Sequence, residues 1–220
     1  MCLRLVDLFF PAQIVPVDGS TEENGVKGES TLEKLGSLKP AFVKPHGTHT
    51  AANSSFLSDG ASAALIMSEG RALEMGLEPR SSFKSWAFVA LDPFEDLLLG
   101  PAFGAAKVLD DAGLTLNDID VFEIHEAFAG QVLSNLAAMN STDFAQKSMG
   151  RSAKLGEVPM EKLNIHGGSL SLGHPFGATG VRLVATATNR LHREGGRYAL
   201  VAACADGGLG HACIVERYDS

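Results

Sequence analysis

Gly167-Gly168-Ser169-Leu170-Ser171-Leu172-Gly173-His174-Pro175-Phe176-Gly177-Ala178-Thr179-Gly180 holds five of the chain's 24 glycines. A histidine between glycine and proline is held on a tight turn. Pro175 fixes φ and removes a donor, and the glycines let another backbone or a ligand come close. An isolated Gly-His-Pro reads as a turn with an idle, exposed histidine. The long glycine frame around this one shifts the reading toward a site, with a helix expected over residues 181–192.

Working outward from this run, residues 198–204 form an apolar β run and residues 206–210 a Gly-rich turn. Residues 211–217 form a second β run, so the C-terminal end predicts a hairpin. Upstream, Val121-Phe122-Glu123-Ile124 reads as a short buried strand with a helix over 126–139, and residues 143–159 are polar and irregular. A helix over 102–112 ends at Gly113, and Thr115 offers a further helix start. Residues 83–91 are strand-like. An Ala-rich stretch, residues 60–75, has apolar positions at helical spacing and Gly76 as its cap. A short helix near 31–38 lies in a Gly/Ser/Pro-containing loop region, and residues 1–10 read as a strand. Alternating helices and strands argue for an α/β fold.

Two further segments carry chemistry. Ala203-Cys204-Ala205-Asp206-Gly207-Gly208-Leu209-Gly210 puts a cysteine at the end of an apolar strand. It is either a small buried hydrophobe or a thiol presented beside loop N–H groups, an arrangement suited to proton transfer near a developing oxyanion. His125-Glu126-Ala127-Phe128-Ala129 puts a histidine at a strand-to-helix junction. Alone it reads as surface-exposed, yet such junctions at the carboxyl ends of strands also face ligand clefts.

Composition narrows the classes. The chain has 220 residues with 45% hydrophobic and 20% charged side chains, ordinary globular values. A net charge of -8 offers no basic field for nucleic acid or anionic membranes. No apolar run reaches the length of a membrane span. Three cysteines, Cys2, Cys204 and Cys213, make a poor disulfide framework and suit a reducing compartment. The N-terminal residues carry a single arginine and no cleavage-site pattern, a weak targeting signal.

In this order and spacing, the three segments resemble the thiolase family: the Gly-Gly…Gly-His-Pro-x-Gly-Ala-Thr-Gly frame and the Cys…Gly-Gly-x-Gly ending occur together. Val15-Pro16-Val17, Leu38-Lys39-Pro40-Ala41-Phe42 and Thr50-Ala51-Ala52-Asn53-Ser54-Ser55 are similar to the family's stretch after its CoA-binding loop. Most thiolases have asparagine where His125 stands, and histidine there is similar to the trifunctional-type branch.

The resemblance implies an α/β thiolase-like fold, of which this chain carries the C-terminal half, of βαβαβαββ type. Residues 1–76 would be a remnant of the loop region with its following helix, and residues 77–220 the C-terminal domain. It implies that His174 takes the proton from a nucleophilic cysteine. Cys204 is the acid/base at the substrate α-carbon, and His125 positions an oxyanion-hole water. Ser55, Ala127 and Phe128 line the pantetheine arm, and the backbone at Asp206 joins the oxyanion hole. Coenzyme A and acyl-CoA enter as substrates, with no covalently bound cofactor and no metal. Implied partners are a second copy of the chain or a trifunctional-type α subunit, and the implied compartment is mitochondrial.

Claisen cleavage needs a thiolate, a base to form it, a second acid/base at carbon and donors for an enolate oxygen. This chain offers the last three. The family's nucleophile belongs to the N-terminal half; Cys2 lacks its frame, and Cys213 alternates with apolar neighbours in a strand. Asp206 stands where thiolases place a small residue, and its carboxylate would oppose an enolate or raise the Cys204 pKa. The expected function is 3-ketoacyl-CoA thiolase activity in β-oxidation, with the chain by itself incomplete and inactive. The alternatives are a biosynthetic, acetoacetyl-CoA-forming thiolase and a non-catalytic subunit that binds a partner.

Overall fold

The computed structural model describes residues 14–22, 25–26 and 30–219. The strand expected over residues 1–10 and the side chain of Cys2 lie outside them. The elements run α1 (Leu32–Gly36), α2 (Glu69–Glu74), β1 (Ser81–Ala90), α3 (Gly100–Ala112), β2 (Val121–Ile124), α4 (Ala129–Met139), α5 (Thr142–Lys147), α6 (Ser169–Leu172), α7 (Phe176–Glu194), β3 (Tyr198–Ala205) and β4 (Leu209–Arg217).

Four strands form one sheet in the order β1-β4-β3-β2. β3 and β4 make the predicted antiparallel hairpin, with Ala205 opposite Leu209 across Asp206-Gly207-Gly208. Gly207 and Gly208 both have φ near +80°, the left-handed region where glycine has no Cβ penalty. β2 runs parallel to β3, and β1 antiparallel to β4. The βαβαβαββ pattern calls for a fifth strand. Among the described residues a single parallel bridge, Phe122 to Leu163, holds that place beside β2.

Two cores lie on opposite faces of the sheet. On one, Leu200, Ala202, Phe122, Ile124, Ala212 and Ile214 pack against α3 and α4 through Ala105, Val108, Leu109 and Met139. On the other, Val121, Ala199, Val201, Cys213 and Val215 pack against Leu183, Ala187 and Leu191 of α7. Alternation along β3 therefore serves both faces, which is why the run reads as uniformly apolar.

The Ala-rich helix expected over 60–75 forms only as α2. Residues 59–67 have no regular secondary structure and are pinned to the start of α7 by a hydrogen bond from Ser62 Oγ to the Ala178 carbonyl (2.7 Å). Tertiary anchoring overrides a helical pattern here. The helix starts only where Ser68 accepts from the Arg71 N–H. The region 143–159 is not wholly irregular. Ser141 Oγ accepts the Phe144 N–H at 3.1 Å and caps α5. α4 begins at Ala129 rather than 126, leaving an extended approach after His125, and α7 begins already at Phe176 rather than 181, directly after His174-Pro175.

Candidate functional site

His125 follows the last residue of β2, and its backbone N–H donates to the Ala202 carbonyl of β3 at 2.8 Å. The chain stays extended through Phe128 before α4 starts. His174 is the second residue before α7, and its backbone N–H donates to the Phe56 carbonyl at 3.0 Å. The two imidazoles meet with ring centroids 4.2 Å apart. Gly173 makes this approach possible: at φ +86°, with Ser58 Oγ and the Phe56 ring pressed against it, any Cβ would overlap the loop.

The loop at 53–56 is also tied to the residues after His125. Ser55 N–H donates to the Ala127 carbonyl (2.9 Å), Ala129 N–H donates to the Asn53 carbonyl (2.9 Å), and Ser54 bridges Phe128. Ser55, Ala127 and Phe128 thus share one short antiparallel patch. Phe128 is boxed by His49 at 5.1 Å and Phe42 at 6.0 Å, both edge-on. In the sequence Phe42 stood out only as part of the 38–42 stretch, and His49 not at all.

Each histidine is held through Nδ1. His174 Nδ1 lies 2.7 Å from Thr179 Oγ1, whose proton goes to the Pro175 carbonyl (3.3 Å). A hydroxyl has one proton, so Oγ1 accepts from Nδ1–H and leaves the Nε2 lone pair free. Burial and the charge of Arg182 lower the His174 pKa. A neutral ring with an open Nε2 is a base. His125 is 3% exposed, and its Nδ1 lies 3.0 Å from Ser169 Oγ. Burial, then His174, then Arg182 bring its pKa down to about 3. The ring is neutral at physiological pH. The spacing of Ser169 and Thr179 about His174, inside the quoted glycine run, was the signal available for these two partners.

Cys204 sits on β3 two residues beyond Ala202, opposite Gly210 on β4. It is 8% exposed, and burial pushes its thiol up to about 11. The expected influence of Asp206 on that thiol is corrected: desolvation is the cause of the rise. Asp206 is exposed, and its Oδ1 accepts the Gly207 N–H at 2.8 Å, so the carboxylate occupies a donor of the turn. Cys213 is 1% exposed among the α7-face residues, with its thiol pushed to about 12. Among the described residues no group of three or more His, Cys, Asp or Glu is arranged to hold a metal, and no helix is long and apolar enough to cross a membrane.

Beneath the two rings lies a polar layer. Glu126 accepts from Asn164 Nδ2 (2.8 Å) and from the Leu170 N–H (3.1 Å). Asn164 in turn brackets Ile124, accepting its N–H and donating to its carbonyl, both at 2.8 Å. The turn carrying Ser169 is thereby fixed to the end of β2. Farther along α7, the fully buried Arg190 pairs with Glu123 at 2.9 Å and with Glu194 at 2.8 Å.

Comparison with known proteins places this arrangement. The model of the thiolase C-terminal domain matches residues 77–217, and that of the thiolase N-terminal domain matches residues 7–70. The mitochondrial trifunctional enzyme subunit beta of Mus musculus is 61% identical over 208 residues, 94% of this chain and 44% of that protein. A probable 3-ketoacyl-CoA thiolase of Caenorhabditis elegans is 61% identical over 197 residues, 90% of this chain and 44% of that one. The 3-ketoacyl-CoA thiolase of Yersinia enterocolitica is 48% identical over 96% of the chain and 49% of its own length. Among solved structures, the Bacillus anthracis acetyl-CoA acetyltransferase superposes with a TM-score of 0.74 at 34% identity, over 87% of this chain and 44% of that chain. Human mitochondrial 3-ketoacyl-CoA thiolase gives 0.73 at 32%, over 89% of this chain and 45% of that chain. The chain spans about half the length of the curated relatives it matches. With the glycine frame, the two facing histidines and both domain models in agreement, this α/β chain belongs to the thiolase family.

Proposed function

We propose that the chain supplies the acid/base and oxyanion groups of a 3-ketoacyl-CoA thiolase of β-oxidation. The supporting observation is the pair of neutral imidazoles 4.2 Å apart, facing each other from the ends of two elements beside the Ser55–Ala127 patch. His174 Nε2 takes the proton from an attacking thiol. Cys204, protonated at neutral pH with its thiol near 11, delivers a proton to the α-carbon of the leaving enolate as the carbon–carbon bond breaks. In the condensing direction the same sulfur removes that proton. His125 serves the enolate oxygen, directly or through a water. Ser55, Ala127 and Phe128 receive the pantetheine arm, and the backbone N–H of Asp206 joins the oxyanion hole, opposed by its own side-chain carboxylate. An assembly with a trifunctional-type α subunit in mitochondria fits the similarity to the mouse protein.

A second reading, a partner-binding subunit without turnover, draws on one observation. Of the two cysteines among the described residues, Cys213 is shut inside the sheet and Cys204 is the carbon acid/base, so neither serves as the nucleophile.

Deuterium exchange into the methyl group of acetyl-CoA tests the proposal, because enolisation asks only for Cys204 and the oxyanion groups. Exchange above buffer, lost in Cys204→Ala, is expected. Thiolysis of acetoacetyl-CoA asks for a nucleophile as well, and is expected at buffer level for this chain alone. A chain that binds acetyl-CoA without exchanging it favours the second reading; one that binds no acyl-CoA sinks the proposal.

A further inference from the structure

We infer that Arg182 is a positioning residue for this site: by donating to Ser169 Oγ, it fixes which ring nitrogen of His125 carries the proton. Arg182 lies on α7, and its Nη2 donates to Ser169 Oγ at 3.3 Å. A guanidinium has five donors and no acceptor, so it cannot take the hydroxyl proton. Ser169 is wholly buried. Among the described residues, its Oγ has two partners, Arg182 and His125 Nδ1 at 3.0 Å. One lone pair takes the Arg182 N–H, and the hydroxyl proton, buried and with no other acceptor among its partners, is satisfied only by pointing at Nδ1 rather than leaving the second lone pair to accept there. That nitrogen must then accept, and the ring proton sits on Nε2.

The consequence is an opposed pair. Thr179, with its proton committed to the Pro175 carbonyl, makes His174 Nε2 an acceptor. Ser169, with a lone pair committed to Arg182, makes His125 Nε2 a donor. Two chemically identical side chains 4.2 Å apart are given different tasks by the hydroxyls behind them. One is the base and the other offers an N–H to a developing oxyanion. The charge of Arg182 also disfavours protonation of either ring, so neither collapses into an imidazolium that would erase the distinction. Burial lowers the Arg182 pKa, and the charges of Glu123 and Glu126 oppose that fall. The value of the donor to catalysis rests on the thiolase reading above; the tautomer itself does not.

The test reads the tautomer without substrate. Nitrogen-15 spectra of histidine-labelled protein distinguish protonated from bare ring nitrogens, with the His125 signals assigned by their loss in His125→Asn. The wild-type protein is expected to show His125 as a single Nε2–H tautomer. In Arg182→Gln, whose amide can also accept, Ser169 is released to point either way, and His125 becomes a mixture. Arg182→Lys, again a pure donor, restores one tautomer, and His174 keeps its Nδ1–H form throughout. A merely structural arginine would not give this pattern. An Nδ1–H His125 in the wild-type protein overturns the inference, as does a tautomer unmoved in Arg182→Gln. Should that variant fail to fold, Ser169→Ala decides: a mixture supports the relay, and an unchanged Nε2–H tautomer overturns it. Absence of exchange activity would leave these spectra unaffected, so the two readings fail separately.

Discussion

His125 is a buried histidine that must stay neutral, and folding carries a pH dependence because of it. Its pKa lies near 3 in the folded chain against about 6.5 unfolded. A lowered pKa in a base means stability is present above the unfolded value and is lost as pH falls toward the folded one. Between pH 6.5 and 5 this single ring removes up to about 2 kcal/mol, at roughly 1.4 kcal/mol per unit. Urea melts at the two pH values should show that loss, and His125→Asn should shrink it; an unchanged loss would move the acid lability to other groups. Cys204 runs the other way. Its raised thiol pKa gives stability that is complete below about pH 9 and declines as pH climbs toward about 11. Alkylation by iodoacetamide, which consumes thiolate, should stay slow at pH 8 and accelerate only toward that upper value. Asp206→Gly removes the carboxylate beside the oxyanion backbone and frees the Gly207 N–H, and should raise acetyl-CoA exchange by less than the roughly 10²–10³-fold that a whole oxyanion donor contributes. No change would mean the loop donor does not face the enolate.

The β hairpin and α3 depend on an intimate backbone contact. A Cβ placed on Gly100 would come within 2.6 Å of Gly210 Cα, and one on Gly104 within 3.0 Å of the Ala212 methyl. Gly210 is the residue opposite Cys204, so the same contact that seats α3 also sets the end of the strand carrying the thiol. Gly210→Ala should destabilise by about 1–3 kcal/mol through overpacking, read as a lower urea midpoint; a neutral result would show that α3 floats on the sheet. Elements with a clear period were legible: β2, β3, β4, α3 and the core of α7 stand where their apolar spacing puts them. The approach after His125 was misread as helix because Glu126-Ala127-Phe128 suits a helix locally, whereas pairing with residues 53–55 pulls it extended. The 60–75 stretch failed for a similar reason, its anchor on α7 being 116 residues away. The candidate site divides the same way: its motifs were visible in sequence, but Ser169 and Thr179 became partners of the rings, and Arg182 of Ser169, only once α6 and α7 were set against β2.

At the level of the whole molecule, α7 covers β2, β3 and the Cys213–Val215 part of β4 but leaves the same face of β1 bare. Phe83, Trp86 and Phe88 are 40%, 61% and 75% exposed there, and Leu65 and Ile66 beside them are 75% and 70% exposed. A hollow of about 260 Å³ opens between them and α7, lined by Ile66, Phe83, Val181, Val184, Ala203 and His211. Folded monomers seldom keep contiguous apolar patches beyond about 300–600 Å² in water. The isolated chain should therefore self-associate on size-exclusion chromatography. Its single tryptophan should emit as a wet indole at low concentration and shift to the blue as the face is covered. A sharp monomer with a cooperative melt would show that the exposed rings are tolerated. The arrangement of α7 has a last consequence. Arg190 is riveted to Glu123, two residues before His125, while the other end of the same helix, Phe176, lies 14 residues or about 21 Å away and follows two residues after His174. The helix works as a jig: it clamps one histidine's strand at its far end and carries the other histidine at its near end. A change at Arg190 would touch no substrate, yet it would alter the gauge between the two rings, and would be felt as lost turnover with affinity intact.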